Sequence, residues 1–220
     1  MRTVFLADVH GNLAALEAVV AEVDRLRPDL VVHGGDLAFN GPRPAECVDL
    51  VRERGWPGVM GNMDEAIWSH PGDPKLARTG ELLGEERVAW LRELPLEWKG
   101  EGAALVHAVP GDLWTAVFPD DASDERLREV YGPLGEPLAV YCHIHIAYVR
   151  ELDGLTVANT GSVGLPFDRD PRASFLVVED GRPRHVRVEY DLERELADLE
   201  ASGYPGWRQI AEAQRTGVRP

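Results

Sequence analysis

Cysteine is scarce in this chain, and so is lysine: among 220 residues Cys47 and Cys142 are the only thiols, and Lys75 and Lys99 the only lysines. Two cysteines build neither a disulfide framework nor a thiolate metal cage. No apolar run approaches the roughly 20 residues needed to cross a bilayer. The first apolar residues, after Met1-Arg2-Thr3, end at Asp8, too early for a signal peptide, and no cleavage site follows. These absences predict a cytoplasmic protein with no membrane partner. Basic charge is also in deficit, with 38 acidic against 23 basic side chains and a formal charge of −15. Such a surface repels phosphate backbones and excludes tight non-specific binding of long nucleic acid. Carboxylates that hold cations count as negative in that sum but form a positive site once metal binds. A small phosphate ester therefore stays within reach. No repeat, low-complexity tract or linker divides the chain, so residues 1–220 read as one domain, peripheral from about residue 191. Nothing in the sequence decides between a monomer and a homo-oligomer.

What the chain does have is a series of short apolar runs that end in metal-ligand residue types. Val4-Phe5-Leu6-Ala7 leads to Asp8 and His10, and Asn12 then caps a helix whose apolar spacing runs to Leu26, with Pro28 as its stop. Leu30-Val31-Val32 leads through His33 to Asp36; strand–helix–strand order with apolar strands predicts a parallel pair. Residues 45–54 read as a second helix, and residues 57–64 as a third short strand ending in Asn62 and Asp64. Residues 71–94 read as a polar, helical insertion. Strands at 96–98 and 103–107 then open a second sheet, the latter ending in His107, and Ser123 caps a helix to residue 131. The run 138–145 ends in His143 and His145. Strands at 155–158, 174–178 and 186–190 follow, the last two a hairpin across Asp180-Gly181. Residues 192–202 read as a surface helix and the rest as a loosely held tail. His33 is expected to pack, His70 and His185 to be solvated, and Ser162 to be a turn residue.

Asp8, His10, Asp36, Asn62, His107, His143 and His145 thus recur at the ends of apolar runs, where open α/β sheets bind their ligands. Seven oxygen and nitrogen donors exceed one tetrahedral zinc. They suit two divalent or transition-metal cations sharing a carboxylate, and without thiolates they favour manganese, iron or zinc.

The ordered set Asp8-x-His10, Gly35-Asp36, Gly61-Asn62-x-Asp64, His107 and His143-x-His145 resembles the calcineurin-like metallophosphoesterase superfamily. Residues 8–13, Gly41-Pro42-x-Pro44-x-Glu46-Cys47, residues 161–164 and residues 170–174 resemble its small prokaryotic phosphodiesterase and dinucleoside-polyphosphatase-like branch. The resemblance implies an α/β, four-layer αββα sandwich of two mixed sheets flanked by helices, with metals at the edge between the sheets. It implies one metal on Asp8, His10 and His145 and a second on Asn62, His107 and His143, with Asp36 bridging. A hydroxide held between the cations would attack phosphorus in line, which makes Asp36, Asn62 and His107 the candidate catalytic residues. Asn12, Arg43, Arg169 and Arg172 are candidate substrate contacts, and Trp114 and Phe118 candidate stacking partners for a base. The implied activity is a phosphodiesterase acting on a small phosphate ester or nucleotide-type substrate. The alternatives are a dinucleoside polyphosphate hydrolase, a phosphomonoesterase, or a non-catalytic protein-binding scaffold on the same fold. Three positions depart from the pattern. Met63 stands where many monoesterases have a histidine that assists the leaving group. Cys142 replaces the usual glycine before the paired histidines, and Ala108-Val109 a common Gly-Ser after His107.

Overall fold

Side-chain alternation along the first strand, β1 (Arg2–Leu6), decides the layering: Val4 and Leu6 enter one core and Phe5 another. The chain's structure, a computed structural model, describes residues 1–219. After β1 come α1 (Leu13–Leu26), β2 (Leu30–His33), α2 (Pro44–Glu53), α3 (Asn62–Ser69), α4 (Pro74–Arg92), β3 (Glu97–Gly100) and β4 (Ala103–Val106). They are followed by α5 (Asp124–Tyr131), β5 (Leu138–Tyr141), β6 (Tyr148–Leu152), β7 (Leu155–Asn159), β8 (Ala173–Glu179), β9 (Arg182–Val188), α6 (Leu192–Ser202) and α7 (Trp207–Thr216). One sheet has the order β2-β1-β8-β9 and the other β3-β4-β5-β7-β6. Both are mixed: β1 runs parallel to β2 and antiparallel to β8, while β4, β5 and β7 are parallel between antiparallel edges.

Three cores separate four layers. Phe5, Val32 and Leu176 meet Leu105, Val140 and Ala158 between the sheets. On the outer face of the first sheet, Val4, Leu6, Phe175 and Val177 pack under α1, α2 and α4. Beyond the second sheet, Ala104, Ala139 and Val157 pack under Leu127 and Tyr131 of α5. This is the αββα sandwich that the sequence implied. Among the described residues no helix is long and apolar enough to cross a membrane.

The expected third strand at 57–64 does not form. Gly58 makes one bridge with His33, and Asn62 instead opens α3. Buried Asp64 accepts the N–H groups of Gly61, Asp36 and Leu37 at 3.2, 2.8 and 3.1 Å, which turns the chain into a helix before a ladder can extend. Within the insertion, α4 kinks at Gly84, whose φ is 73°. The edge strand β6 carries no sequence signal because its residues are half-buried or exposed without alternation. The tail is not loose: Tyr204, Ile210, Ala211 and Ala213 form a fourth core with Leu165 and the α6 leucines. His185 is half-buried, with Nε2 2.7 Å from the Asn159 carbonyl.

His33 packs as expected, fully buried and with neither ring nitrogen hydrogen-bonded. A Cβ at Gly58 would come within 2.3 Å of its ring, so only glycine fits there. Burial lowers the His33 pKa to about 4. A lowered histidine pKa gives stability that is present above the unfolded value near 6.5 and lost as pH falls toward 4. His33→Leu keeps the volume and removes the proton site. Its stability relative to wild type is expected to rise between pH 7 and pH 4 by on the order of 3 kcal/mol. Urea unfolding across that range checks this, and a pH-independent difference would refute it.

Candidate metal centre

The loops that leave β1 and β2 run side by side. Asp8 N–H donates to the Gly35 carbonyl at 3.0 Å, His10 N–H to that of Asp36 at 3.0 Å, and Gly11 N–H to that of Leu37 at 2.9 Å. Asp8, His10, Asp36, His143 and His145 all have φ between 52° and 69°. For residues with a Cβ this left-handed region costs on the order of 1–2 kcal/mol each. Five such residues at one sheet edge mean that tertiary contacts hold the backbone where the side chains must converge. Gly61 makes that convergence sterically feasible, because a Cβ there would lie 2.1 Å from Asp36 Oδ1.

The backbone also sets the tautomers. Nδ1–H of His10, His107 and His145 donates to the carbonyls of Phe39, Gly34 and Leu165 at 2.9, 2.7 and 2.6 Å. Each ring therefore aims an Nε2 lone pair inward, the orientation of a metal ligand fixed from behind. His10 Nε2 and His145 Nε2 lie 3.1 Å apart. Asn62 Oδ1 sits 2.8 Å from His107 Nε2 and 3.0 Å from His143 Nδ1. His107 Nε2 is 3.6 Å from Asp36 Oδ2, and His145 Nε2 is 3.3 Å from Asp8 Oδ1. Asp8 Oδ1 is buried without a hydrogen-bond partner. Lone pairs facing lone pairs, beside an unpartnered carboxylate oxygen, fit divalent cations. Asp8, His10 and His145 form one group of three ligand atoms lying within 4.8 Å of one another, and Asp8, Asp36 and His107 form another.

Electrostatics point the same way. Burial raises the Asp8 carboxyl, but the neighbouring His145, His107 and His10 rings outweigh it and hold the pKa at about 2. Burial, with Asp64 and Asp8 as like charges, pushes Asp36 well above the usual carboxylate range. Burial and the His145 ring lower His10 to about 3, burial and His107 lower His143 to about 4, and burial lowers His107. Burial also opposes charge on His145, but Asp8 prevails and raises it. His10, His107 and His143 thus present neutral imidazoles to a cation, whereas His145 must lose its proton to one and Asp36 needs one in order to ionise.

All seven expected donors meet at this edge. Two supporting residues lack an assigned role in the sequence. Asp64 anchors the Asp36 loop as described above. Ser162 Oγ donates to the Asp8 carbonyl at 2.7 Å and accepts the Leu165 N–H at 2.8 Å, so the expected turn residue braces both Asp8 and the carbonyl that orients His145. Their signal was the motif spacing around Asp64 and the glycine turn around Ser162. Cys142 lies in the core between the sheets and leaves the donors in place.

His10, Asp36, Asn62, His143 and His145 open onto a cavity of about 670 Å3, walled by Phe39, Met63, Trp114, Phe118 and Phe167, with Lys75, Gln209 and Arg219 further along. Phe167 stacks on His145 at 4.6 Å between ring centroids. Trp114 and Phe118, the candidate stacking residues, both line the cavity. Asn12, Arg43, Arg169 and Arg172 do not line this cavity. Asn12 is fully buried, with Oδ1 accepting the Ala15 N–H and Nδ2 donating to the Gly164 carbonyl. Arg43 is held by Asp198 and Glu46, and Arg172 by Asp170. Arg169 is exposed, with its N–H on the Gly217 carbonyl. An acid-rich chain offers its arginines carboxylate partners, and Arg43 and Arg172 take them.

A profile of the calcineurin-like phosphoesterase superfamily domain matches residues 1–181. An uncharacterized protein of Methanocaldococcus jannaschii is 28% identical over 233 residues, spanning 92% of this chain and 93% of that protein. The crystal structure of a metallophosphoesterase from Sphaerobacter thermophilus superposes with a TM-score of 0.86 at 28% identity, over 99% of both chains. A hypothetical protein from Pyrococcus horikoshii OT3 shares the fold with a TM-score of 0.88 at 18% identity, over 100% of this chain and 99% of that one. With a family match that starts at Met1 and runs through both sheets, this chain belongs to the calcineurin-like phosphoesterase superfamily.

Proposed function

We propose that the chain is a two-metal phosphodiesterase for small phosphodiesters or nucleotide-type esters, working in the cytoplasm. Asp8, His10 and His145 would hold one divalent cation and Asn62, His107 and His143 the other, with Asp36 available to both. Cations held there would supply Lewis acidity at a phosphoryl oxygen and a nucleophile at neutral pH. The protein's part is preorganisation. Backbone carbonyls behind three rings and the Met63 N–H on Asp36 Oδ1 at 2.8 Å keep the donors aimed before substrate arrives. The aromatic walls offer flat faces to an aryl or base group.

The diester preference rests on Met63. Its sulfur accepts the Asn62 amide at 3.2 Å, and the side chain lines the cavity. A thioether cannot donate a proton, and a positioned acid is worth about 10²–10⁴-fold to a poor alkoxide leaving group. Activated aryl diesters are therefore expected to outrun alkyl monoesters in a manganese-supplemented panel of diesters, monoesters and dinucleoside polyphosphates. Met63→His supplies a proton donor and a positive charge for the monoester's second negative charge. It is expected to raise the monoester-to-diester ratio of kcat/KM by at least about tenfold, a fraction of the about 10²–10⁴-fold that a well-positioned acid contributes. An unchanged ratio in a folded, fully metallated variant would remove the support for diesters.

A further inference from the structure

The cavity reverses the charge balance of the chain. The sequence carries 38 acidic and 23 basic side chains, yet among the described residues lining the cavity Asp36 is the only carboxylate, while Lys75 and Arg219 both face it. Asp36 belongs to the donor cluster, so outside that cluster the charged side chains of the wall, Lys75 and Arg219, are both cationic. One of the chain's two lysines is placed here.

Lys75 comes from α4, and the rest of this cationic end is built by the segment that continues past the family match at residue 181. Tyr204, 1% exposed, is its anchor. The Tyr204 hydroxyl accepts the Asn40 N–H at 3.2 Å, lies 2.8 Å from Thr79 Oγ1 and donates to the Lys75 carbonyl at 3.3 Å. One oxygen thus joins the loop that follows Asp36, the first turns of α4 and the α6–α7 connection. Gly206 then lets Lys75 lie close: a Cβ there would sit 3.1 Å from Lys75 Nζ and 3.5 Å from Gln209 Oε1. Gln209 and Arg219 bring two more hydrogen-bond donors to the same wall. About 670 Å3 is a ligand-sized volume that holds more than a single phosphate.

We infer that Lys75 and Arg219 are specificity-determining residues that bind a second phosphate of the substrate, away from the phosphorus that reacts. Tyr204 is a positioning residue for that wall. The inference rests on the phosphodiesterase reading and names its substrate class: phosphodiesters that also carry a phosphate monoester.

A matched pair of substrates tests it: the p-nitrophenyl ester of thymidine 5′-phosphate, with and without a 3′-phosphate. Wild type is expected to favour the 3′-phosphorylated ester in kcat/KM. Lys75→Met, which keeps the packed stem, combined with Arg219→Gln, is expected to cut that preference at least about tenfold, the scale of losing one charge-assisted hydrogen bond. Lys99→Met on β3, outside the cavity lining, is expected to leave it intact. Binding provides a second readout: in manganese-equilibrated protein, calorimetry compares thymidine 3′,5′-bisphosphate with thymidine 5′-phosphate. The variant is expected to lose most of the wild-type discrimination between them, with metal content unchanged. Equal discrimination in variant and wild type overturns the inference. If wild type turns over neither ester, the phosphodiesterase reading fails, and the bisphosphate titration still decides whether the wall binds a second phosphate.

Discussion

Asp36→Asn is expected to lower turnover at least about 100-fold while leaving the fold intact, the scale of losing a fixed transition-state electrostatic contact. The substitution is nearly isosteric, and the asparagine oxygen can still accept the Met63 N–H that Asp36 Oδ1 receives at 2.8 Å. What disappears is the negative charge lying 3.6 Å from His107 Nε2 and 3.8 Å from His10 Nε2. Both proposed cation positions lose it together. The same change relieves the repulsion that Asp64 and Asp8 exert on Asp36, so the metal-free variant is expected to be no less stable than wild type. His33→Leu is the matched control: an equally buried position, two residues before Gly35, with no donor aimed at the cluster. It is expected to stay within roughly tenfold of wild-type turnover at pH 7.5, well short of the loss of a transition-state contact. Comparable losses in the two variants would disprove the special role of Asp36.

Chelation has the second large effect. Metal-free protein is expected to lose all hydrolysis and regain it with manganese, and metal analysis of the restored protein to give close to two equivalents. Stability should follow. Two sites each saturated to about 100 times their Kd add roughly 5 kcal/mol, which in a chain of this length raises Tm on the order of 10 °C. The pH dependence has a definite sign. Asp36 has a folded pKa well above its ordinary one, and His145 one above its ordinary 6.5. The stability such groups give is present below the unfolded pKa and lost as pH rises through the folded one. Metal-free protein therefore loses this contribution on going from pH 6 toward pH 8. Bound cations reverse it, because they favour ionised Asp36 and neutral His145 and face fewer competing protons. The Tm gain on adding manganese is expected to be larger at pH 8 than at pH 6. Full activity after complete metal removal, or a gain that shrinks with pH, would contradict this account.

The candidate donor set was legible because its members follow short apolar runs, a local signal, and β1, β2, β4 and β5 are buried almost throughout. The Asn12 cap is local too, spanning three residues to Ala15. Residues 57–64 misled because their apolar content resembles a strand while Asp64, reaching back to Asp36 and Leu37, bends them into α3. The arginines misled for a related reason. Arg43 finds Asp198 across 155 positions, and no local pattern in either segment reveals that pairing.

The sequence alone determined the apolar runs, the helix caps, the family resemblance (which implied the layered α/β architecture) and the candidate donors, since residue type, capping and short apolar runs act over a few neighbours. Only the tertiary structure decided which lone pairs face one another, which carboxylate resists ionisation, and that α7 and Arg219 wall the cavity instead of trailing from it. Those outcomes depend on burial and on contacts such as Tyr204 with Asn40, 164 positions away. Desolvation and close approach are properties of the packed interior, where charges and hydrogen bonds act far more strongly than in water.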